Sequence, residues 1–183
     1  RYSHKDVKHT PEQLLKYHYA FLRGGTRPFG KHWGTAIYGQ CDPAISPKAV
    51  TLAYDMGARY IWYWTSDHDH HLPWVEQMEL TRTLRKHAAE HPRPSIFSEQ
   101  RVLDTAIAMP YGYVASLDDL PWARGPGDDP TKGDSWGKYL RLMERLLAAV
   151  REAYNRNEDF DITVDDGREI IGYHKVIRIT DER

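Results

Sequence analysis

Arg59-Tyr-Ile-Trp-Tyr-Trp-Thr-Ser-Asp-His-Asp-His-His-Leu-Pro-Trp74 joins an aromatic, strand-like run to a dense polar cluster. Tyr60 to Thr65 is apolar without alternation, the pattern of a strand covered on both faces, and so reads as a buried strand of a parallel sheet. Asp67, His68, Asp69, His70 and His71 follow at once, and Trp74 opens the next helix after Leu72-Pro73. In parallel α/β proteins, ligands bind where loops leave the carboxyl ends of the strands. The polar cluster falls at that position.

On either side of this stretch the chain alternates helices with strands. Thr10-Pro-Glu-Gln13 combines an N-cap, a proline at the first helical position and a glutamine at the capping-box position. A helix is predicted from there to about Leu22, stopped by Gly24-Gly25. Trp33 to Gly39 reads as a strand. Ser46-Pro47 then caps a second helix with Val50, Ala53 and Tyr54 on its apolar side, ended by Gly57. After the aromatic strand, a third helix runs from Trp74 to Glu90 with Val75, Met78, Thr81, Leu84 and Ala88 near one face, and stops before Pro92. The order α-β-α-β-α with short connections predicts right-handed crossovers and a parallel sheet.

His91-Pro-Arg-Pro94 reads as a short, stiff linker, which divides the chain into domains at 1–92 and 93–183. Beyond it, Thr105 to Met109 resembles a buried strand and Ser116 to Asp134 a long surface loop. The strongest helix spans Trp136 to Asn155. Tyr139, Met143, Leu146, Leu147, Val150 and Tyr154 recur there at helical spacing and read as core. Phe160 to Val164 and His174 to Ile179 read as two further strands joined through Asp165-Asp166-Gly167, so this part begins a second α/β domain.

Composition narrows the function classes. The chain has 183 residues, 40% hydrophobic and 12% aromatic, enough for a real core. A net charge of -1 and a pI near 6.9 supply no broad field for nucleic acid or anionic lipid, so neither is expected as a partner. No apolar run approaches the roughly 20 residues needed to cross a bilayer. Cys41 is the only cysteine, which excludes an internal disulfide. Starting at Arg1 without a methionine and stopping at Arg183 just after a strand, the chain reads as an internal piece of a longer protein, or else as a processed domain.

A tyrosine- and tryptophan-rich strand ending Trp62-Tyr-Trp-Thr-Ser66, followed by a helix and then a fresh α/β unit, resembles the end of a (β/α)8 glycoside hydrolase of the β-galactosidase-like kind. In those enzymes an amidotransferase-like, flavodoxin-like domain often follows the barrel. Asp104-Thr-Ala-Ile-Ala-Met-Pro-Tyr-Gly-Tyr113, the helix to Asn155 and Asp159-Phe-Asp-Ile-Thr-Val-Asp165 look like that domain's first strand, helix and second strand. The resemblance covers most of the chain. It implies an α/β fold made of the last strands and helices of a (β/α)8 barrel followed by a partial flavodoxin-like unit. Trp33 to Gly39 would be the seventh barrel strand and Tyr60 to Thr65 the eighth.

In that enzyme group a tryptophan at the end of the eighth strand forms part of the sugar-binding floor, often with a cis peptide after it. Trp64 would be that residue, and its partner a carbohydrate. An aromatic plane suits the apolar C–H face of a sugar ring, while the hydroxyl rim needs donors and acceptors such as Asp67, His68, His70 and His71. Tyr38, Gln40 and Trp74 complete the substrate-facing set. Simple core filling is the competing role for Trp62 and Trp64. Export would suit a polysaccharide-degrading enzyme, any signal lying upstream; a homo-oligomer is left open and no cofactor is called for.

One departure bears on catalysis. Retaining members of the group carry their nucleophilic glutamate at the end of the seventh strand, whereas this strand ends Ala36-Ile-Tyr-Gly-Gln40. Glycosidic cleavage generally needs two carboxyl groups flanking the bond, and a glutamine supplies none. Either the strand numbering is off, or the acids lie on strands upstream of this chain, or Asp67 or Asp69 serves instead. A non-catalytic sugar-binding protein on the same architecture is the alternative that Gln40 encourages. His68 and His70 also form an H-x-H pair which, with Asp67, Asp69 and His71, offers a donor set suited to zinc; a metal-dependent hydrolase is the third reading. The simpler role for these histidines is hydrogen bonding to substrate or to neighbouring carboxylates, so no metal is assigned. Cys41 has no local general base and reads as an incidental thiol. Gly24-Gly25 and Gly125-Pro-Gly127 lack the lysine of a phosphate-binding loop.

Overall fold

The computed structural model of the chain describes residues 10–38, 42–65, 71–93, 102–113 and 134–181. Gln40, Cys41, Asp67 to His70, Gly125 to Gly127 and residues 116–133 of the expected loop lie outside them. The protein is mixed α/β, with four α-helices and two small parallel sheets among the described residues. It divides into two compact units, residues 1–101 and 102–183.

In the first unit, helix α1 (Pro11–Thr26) starts at the predicted capping box. Gln13 N–H donates to Thr10 Oγ1 at 3.2 Å, and Thr10 N–H donates to Gln13 Oε1 at 2.9 Å. Gly24-Gly25 does not stop this helix, contrary to the sequence expectation. Glycine lowers helix propensity by only about 1 kcal/mol, and tertiary packing overrides so small a bias. Termination comes later, in a 3-10 turn at Arg27–Phe29, where Gly30 takes the left-handed φ of 59°. Lys31 N–H reaches Thr26 O at 3.1 Å and Gly30 N–H reaches Arg27 O at 3.0 Å, the paired bonds of a Schellman closure.

Strands β1 (Gly34–Ile37) and β2 (Tyr60–Tyr63) pair in parallel, Gly34 opposite Tyr60 and Ile37 opposite Tyr63, with helix α2 (Ser46–Asp55) as the crossover between them. Ser46 is not the N-cap of α2. It lies inside the helix, its hydroxyl donating to Asp42 O at 3.2 Å, while the Asp42 carboxylate accepts the Ala44 N–H at 2.9 Å and so orders the entry turn. Helix α3 (Trp74–Glu90) has the predicted bounds, and its inward side holds the predicted Thr81 and Leu84 together with Leu80. Leu80 is buried, whereas Val75 is 69% exposed and lies off that inward side.

The core of this unit lies on one side of the sheet. Tyr19, Trp33, Ala53, Met56 and Ala58 form one buried cluster; Ile37, Ala49, Val50, Leu72 and Leu80 form another, with Leu15, Ile61, Tyr63 and Leu84 against it. All three helices therefore pack on the face that carries Ile37, Ile61 and Tyr63. Alternation along a strand sends Tyr60, Trp62 and Trp64 the other way. They are 57%, 49% and 36% exposed, so the aromatic strand is parallel, as predicted, but not covered on both faces. An unbroken apolar run cannot distinguish two buried faces from one buried face opposite a row of exposed rings.

In the second unit, β3 (Leu103–Pro110) is the central strand, with β4 (Phe160–Asp165) and β5 (Tyr173–Arg178) parallel on either side. Helix α4 (Asp134–Asn155) connects β3 to β4. Ile107, Met109, Leu142, Leu146, Phe160 and Ile162 are fully or almost fully buried, and Tyr154 meets Phe160 edge-on at 5.2 Å. Leu147, assigned to the core by its spacing, is 38% exposed, and Leu142 takes the inward position.

Charged side chains hold both ends of this sheet. Arg141 donates to both oxygens of Asp181, at 2.7 and 3.0 Å, and Arg178 donates to Asp165 at 2.7 Å. At the opposite end the buried Thr105 hydroxyl donates to Glu158 at 2.7 Å, with Arg156 at 3.3 Å from the same carboxylate. These contacts, the Thr105 bond first, hold Glu158 below its ordinary carboxylate range. A depressed folded-state pKa stabilises above the unfolded value and is lost as pH falls through the folded one. Unit two is thus expected to weaken on acidification below about pH 4.3, the unperturbed glutamate value. Equilibrium urea unfolding at a series of pH values should show a shallower acid-side slope for Glu158→Gln than for the parent chain. The same slope in both would remove Glu158 from the account.

Candidate functional site

The strand ends of the first unit bring two of the predicted residues together. Tyr38 follows β1 and Trp64 follows β2, and because the strands are parallel and in register both side chains emerge at the same carboxyl edge. Their rings stack with centroids 5.2 Å apart and planes 14° from parallel. Tyr38 is 42% exposed. The Trp64 backbone is held on both sides: its N–H donates to Ile37 O at 2.9 Å, and its carbonyl accepts the Leu72 N–H, also at 2.9 Å.

That second bond brings the chain back to Trp64 immediately before α3. Buried Leu72 anchors the return, and Gln77 Nε2 donates to its carbonyl at 2.6 Å. Tyr63 OH and Thr81 Oγ1, 3.1 Å apart, tie the last residue of β2 to the same helix. The backbone on either side of residues 66–70 is thus braced at Trp64 and Leu72. Of the cluster itself, only His71 is described; it is exposed beside Leu72. Trp74 is 70% exposed at the start of α3. Gln40, Asp67, His68, Asp69 and His70 lie outside the described residues.

The peptide bond after Trp64, which is often cis in the enzyme group that the chain resembles, is trans. Among the described residues no peptide bond is cis. No group of three His, Cys, Asp or Glu side chains among the described residues is arranged to hold a metal ion. No helix of the described residues is long and apolar enough to cross a membrane.

Sequence reasoning overlooked the supports beneath the site. Gln77 has a legible signal, since a polar residue in the first turn after Leu72-Pro73 lies within reach of the loop's last carbonyl. Glu76 Oε1, in the same turn, is buried and has no hydrogen-bond partner among the described residues. Nothing in its sequence context distinguishes it from the other glutamates of α3.

No protein-family model matches the chain, and no curated protein and no solved structure matches it.

Proposed function

We propose that the chain supplies the seventh and eighth strands of a (β/α)8 glycoside hydrolase of the β-galactosidase-like kind, and that its second unit opens an amidotransferase-like, flavodoxin-like domain. The observation that carries this reading is the aromatic face of the first sheet. A barrel strand directs alternate side chains outward to helices and inward to the lumen. Here Ile37, Ile61 and Tyr63 meet all three helices, while Tyr60, Trp62 and Trp64 face away from them. Trp64 and Tyr38 then lie at the carboxyl ends, where barrel enzymes carry their sites. In the second unit, the first strand along the chain lies between the second and the third, the order with which a flavodoxin-like sheet begins.

Under this reading Trp64 forms part of the floor beneath a sugar ring, and the polar residues from Asp67 to His71, with Trp74 and Gln40, form its rim. The acid and the nucleophile are assigned to strands that precede this chain in the natural-length protein. Gln40 favours one further reading, a carbohydrate-binding protein without hydrolytic activity. The test is to assay the protein at its natural length for binding and product release on a panel of glycosides. Cleavage of at least one substrate is expected, with Trp64→Ala weakening binding tenfold or more, a difference of about 1.4 kcal/mol. Binding without product would favour the second reading. Activity abolished by a chelator and restored by zinc would instead favour the His68/His70 hydrolase. Neither binding nor cleavage would end every carbohydrate reading.

A further inference from the structure

We infer that Tyr38 is the positioning residue for Trp64, fixing the plane of the indole against which a sugar ring would lie. The inference rests on the sugar-site reading of Trp64 and adds a role that the reading itself does not contain. Three observations converge on it. First, the rings are stacked, 5.2 Å between centroids and 14° between planes. Second, the Trp64 backbone is fixed by hydrogen bonds at its N–H and its carbonyl, so the remaining freedom of the residue is rotation of the ring. Third, Trp64 remains 36% exposed with Tyr38 in place, so the stack orients the indole without removing it from solvent.

The separation also decides what kind of aromatic site this is. Carbon atoms in optimal contact sit about 3.5–4.0 Å apart, so a sugar held between two rings needs roughly 7–8 Å from plane to plane. Rings with centroids 5.2 Å apart cannot admit one. Tyr38 is therefore a backstop rather than the second jaw of a sandwich, and the ligand meets the exposed part of Trp64. A side chain held in advance of binding loses less rotamer freedom when the ligand arrives, and that saving appears as affinity. The backbone explains how Tyr38 reaches its place. It stands one residue past Ile37, whose carbonyl takes the Trp64 N–H, so the parallel register itself sets the two rings side by side.

Because the hydroxyl has no part in this role, the ring alone should suffice. The test titrates neutral gluco-, galacto- and xylo-oligosaccharides into the natural-length protein and its Tyr38→Phe, Tyr38→Ala and Trp64→Ala variants, following tryptophan fluorescence and near-UV circular dichroism. Tyr38→Phe should bind within about twofold of the parent. Tyr38→Ala should lose about three- to tenfold in affinity and also lose the near-UV signal of the stacked pair, with its thermal midpoint little changed because the residue is half exposed. Equal affinity for Tyr38→Ala and the parent, with Trp64→Ala impaired, would overturn the positioning role while leaving the sugar site standing. A loss in Tyr38→Phe as large as in Tyr38→Ala would also overturn it, since the hydroxyl would then be touching the ligand. Unchanged binding in Trp64→Ala would remove the site reading, and the role of Tyr38 with it, even if the near-UV signal still reported the stack.

Discussion

Gly34→Ala should unfold the first unit at concentrations of urea that leave the parent protein intact, a loss of about 3 kcal/mol or more. A Cβ built at Gly34 falls into the carbonyl oxygen of Tyr60, comes within 2.7 Å of the Tyr60 Cβ and meets a ring carbon of Trp62 at 3.1 Å. The first two are a backbone oxygen and a Cβ of the paired strand, so relief requires the β1–β2 ladder to separate. No rotamer change can achieve that. The Trp62 ring can lie across β1 because position 34 has no side chain. Gly25 supplies the control. It lies within α1 with nothing inside 4 Å of the point where a Cβ would stand, so Gly25→Ala should stabilise the same unit by about 0.5–1 kcal/mol. Tryptophan fluorescence monitors both variants, three indoles of this unit lying on or beside the aromatic strand. Gly34→Ala with the parent's unfolding midpoint would mean that β1 and β2 do not approach as closely as described.

The elements with purely local signals were legible from the residues. The Thr10 capping box marks the start of α1, and Pro73 and Pro92 bracket α3. The apolar run in β3 and the Asp-Gly turn after β4 locate the second sheet. What escaped was burial, because burial belongs to the partner and not to the segment. Tyr60 to Thr65 contains six residues that count as apolar or strand-forming, yet only the side toward the helices is packed. Gly24-Gly25 reads as a stop signal for the same reason. A local propensity of about 1 kcal/mol per glycine carries no information on the packing around buried Gly24.

At the candidate site, type and position were readable but pairing was not. That Tyr38 and Trp64 both lie near the carboxyl ends of strand-like runs follows from the sequence. Their stacking requires the parallel register, which one strand's sequence does not contain. The bracing by Gln77, Tyr63 and Thr81 was equally hidden, since each of these contacts spans 5 to 18 residues between a strand or loop and a helix. Gln77 nonetheless sits in the first turn of α3, within reach of the Leu72 carbonyl, and its role emerges once Leu72 is known to be buried.

Helix α4 yields the second large effect, because its inward face is rotated from the one its apolar stripe suggests. Spacing alone joins Tyr139, Met143, Leu146, Leu147, Val150 and Tyr154; the buried set is Leu142, Leu146, Ala149, Val150 and Ala153. Small residues explain the rotation. Ala149 and Ala153 weigh little in a hydrophobicity pattern, yet they let the helix backbone approach the sheet, and the side facing β3 therefore follows the alanines rather than the largest side chains. Two neighbouring leucines separate the alternatives. Leu146 is completely buried, so Leu146→Ala should destabilise the second unit by about 2–5 kcal/mol through lost burial and the cavity left behind. Leu147 is 38% exposed, so Leu147→Ala should stay within about 1 kcal/mol of the parent. Urea unfolding followed by far-UV circular dichroism, with hydrogen exchange at the β3 amides to assign the change to this unit, gives both values. Comparable losses at the two positions would return α4 to the orientation its stripe implies and would move the helix off the central strand.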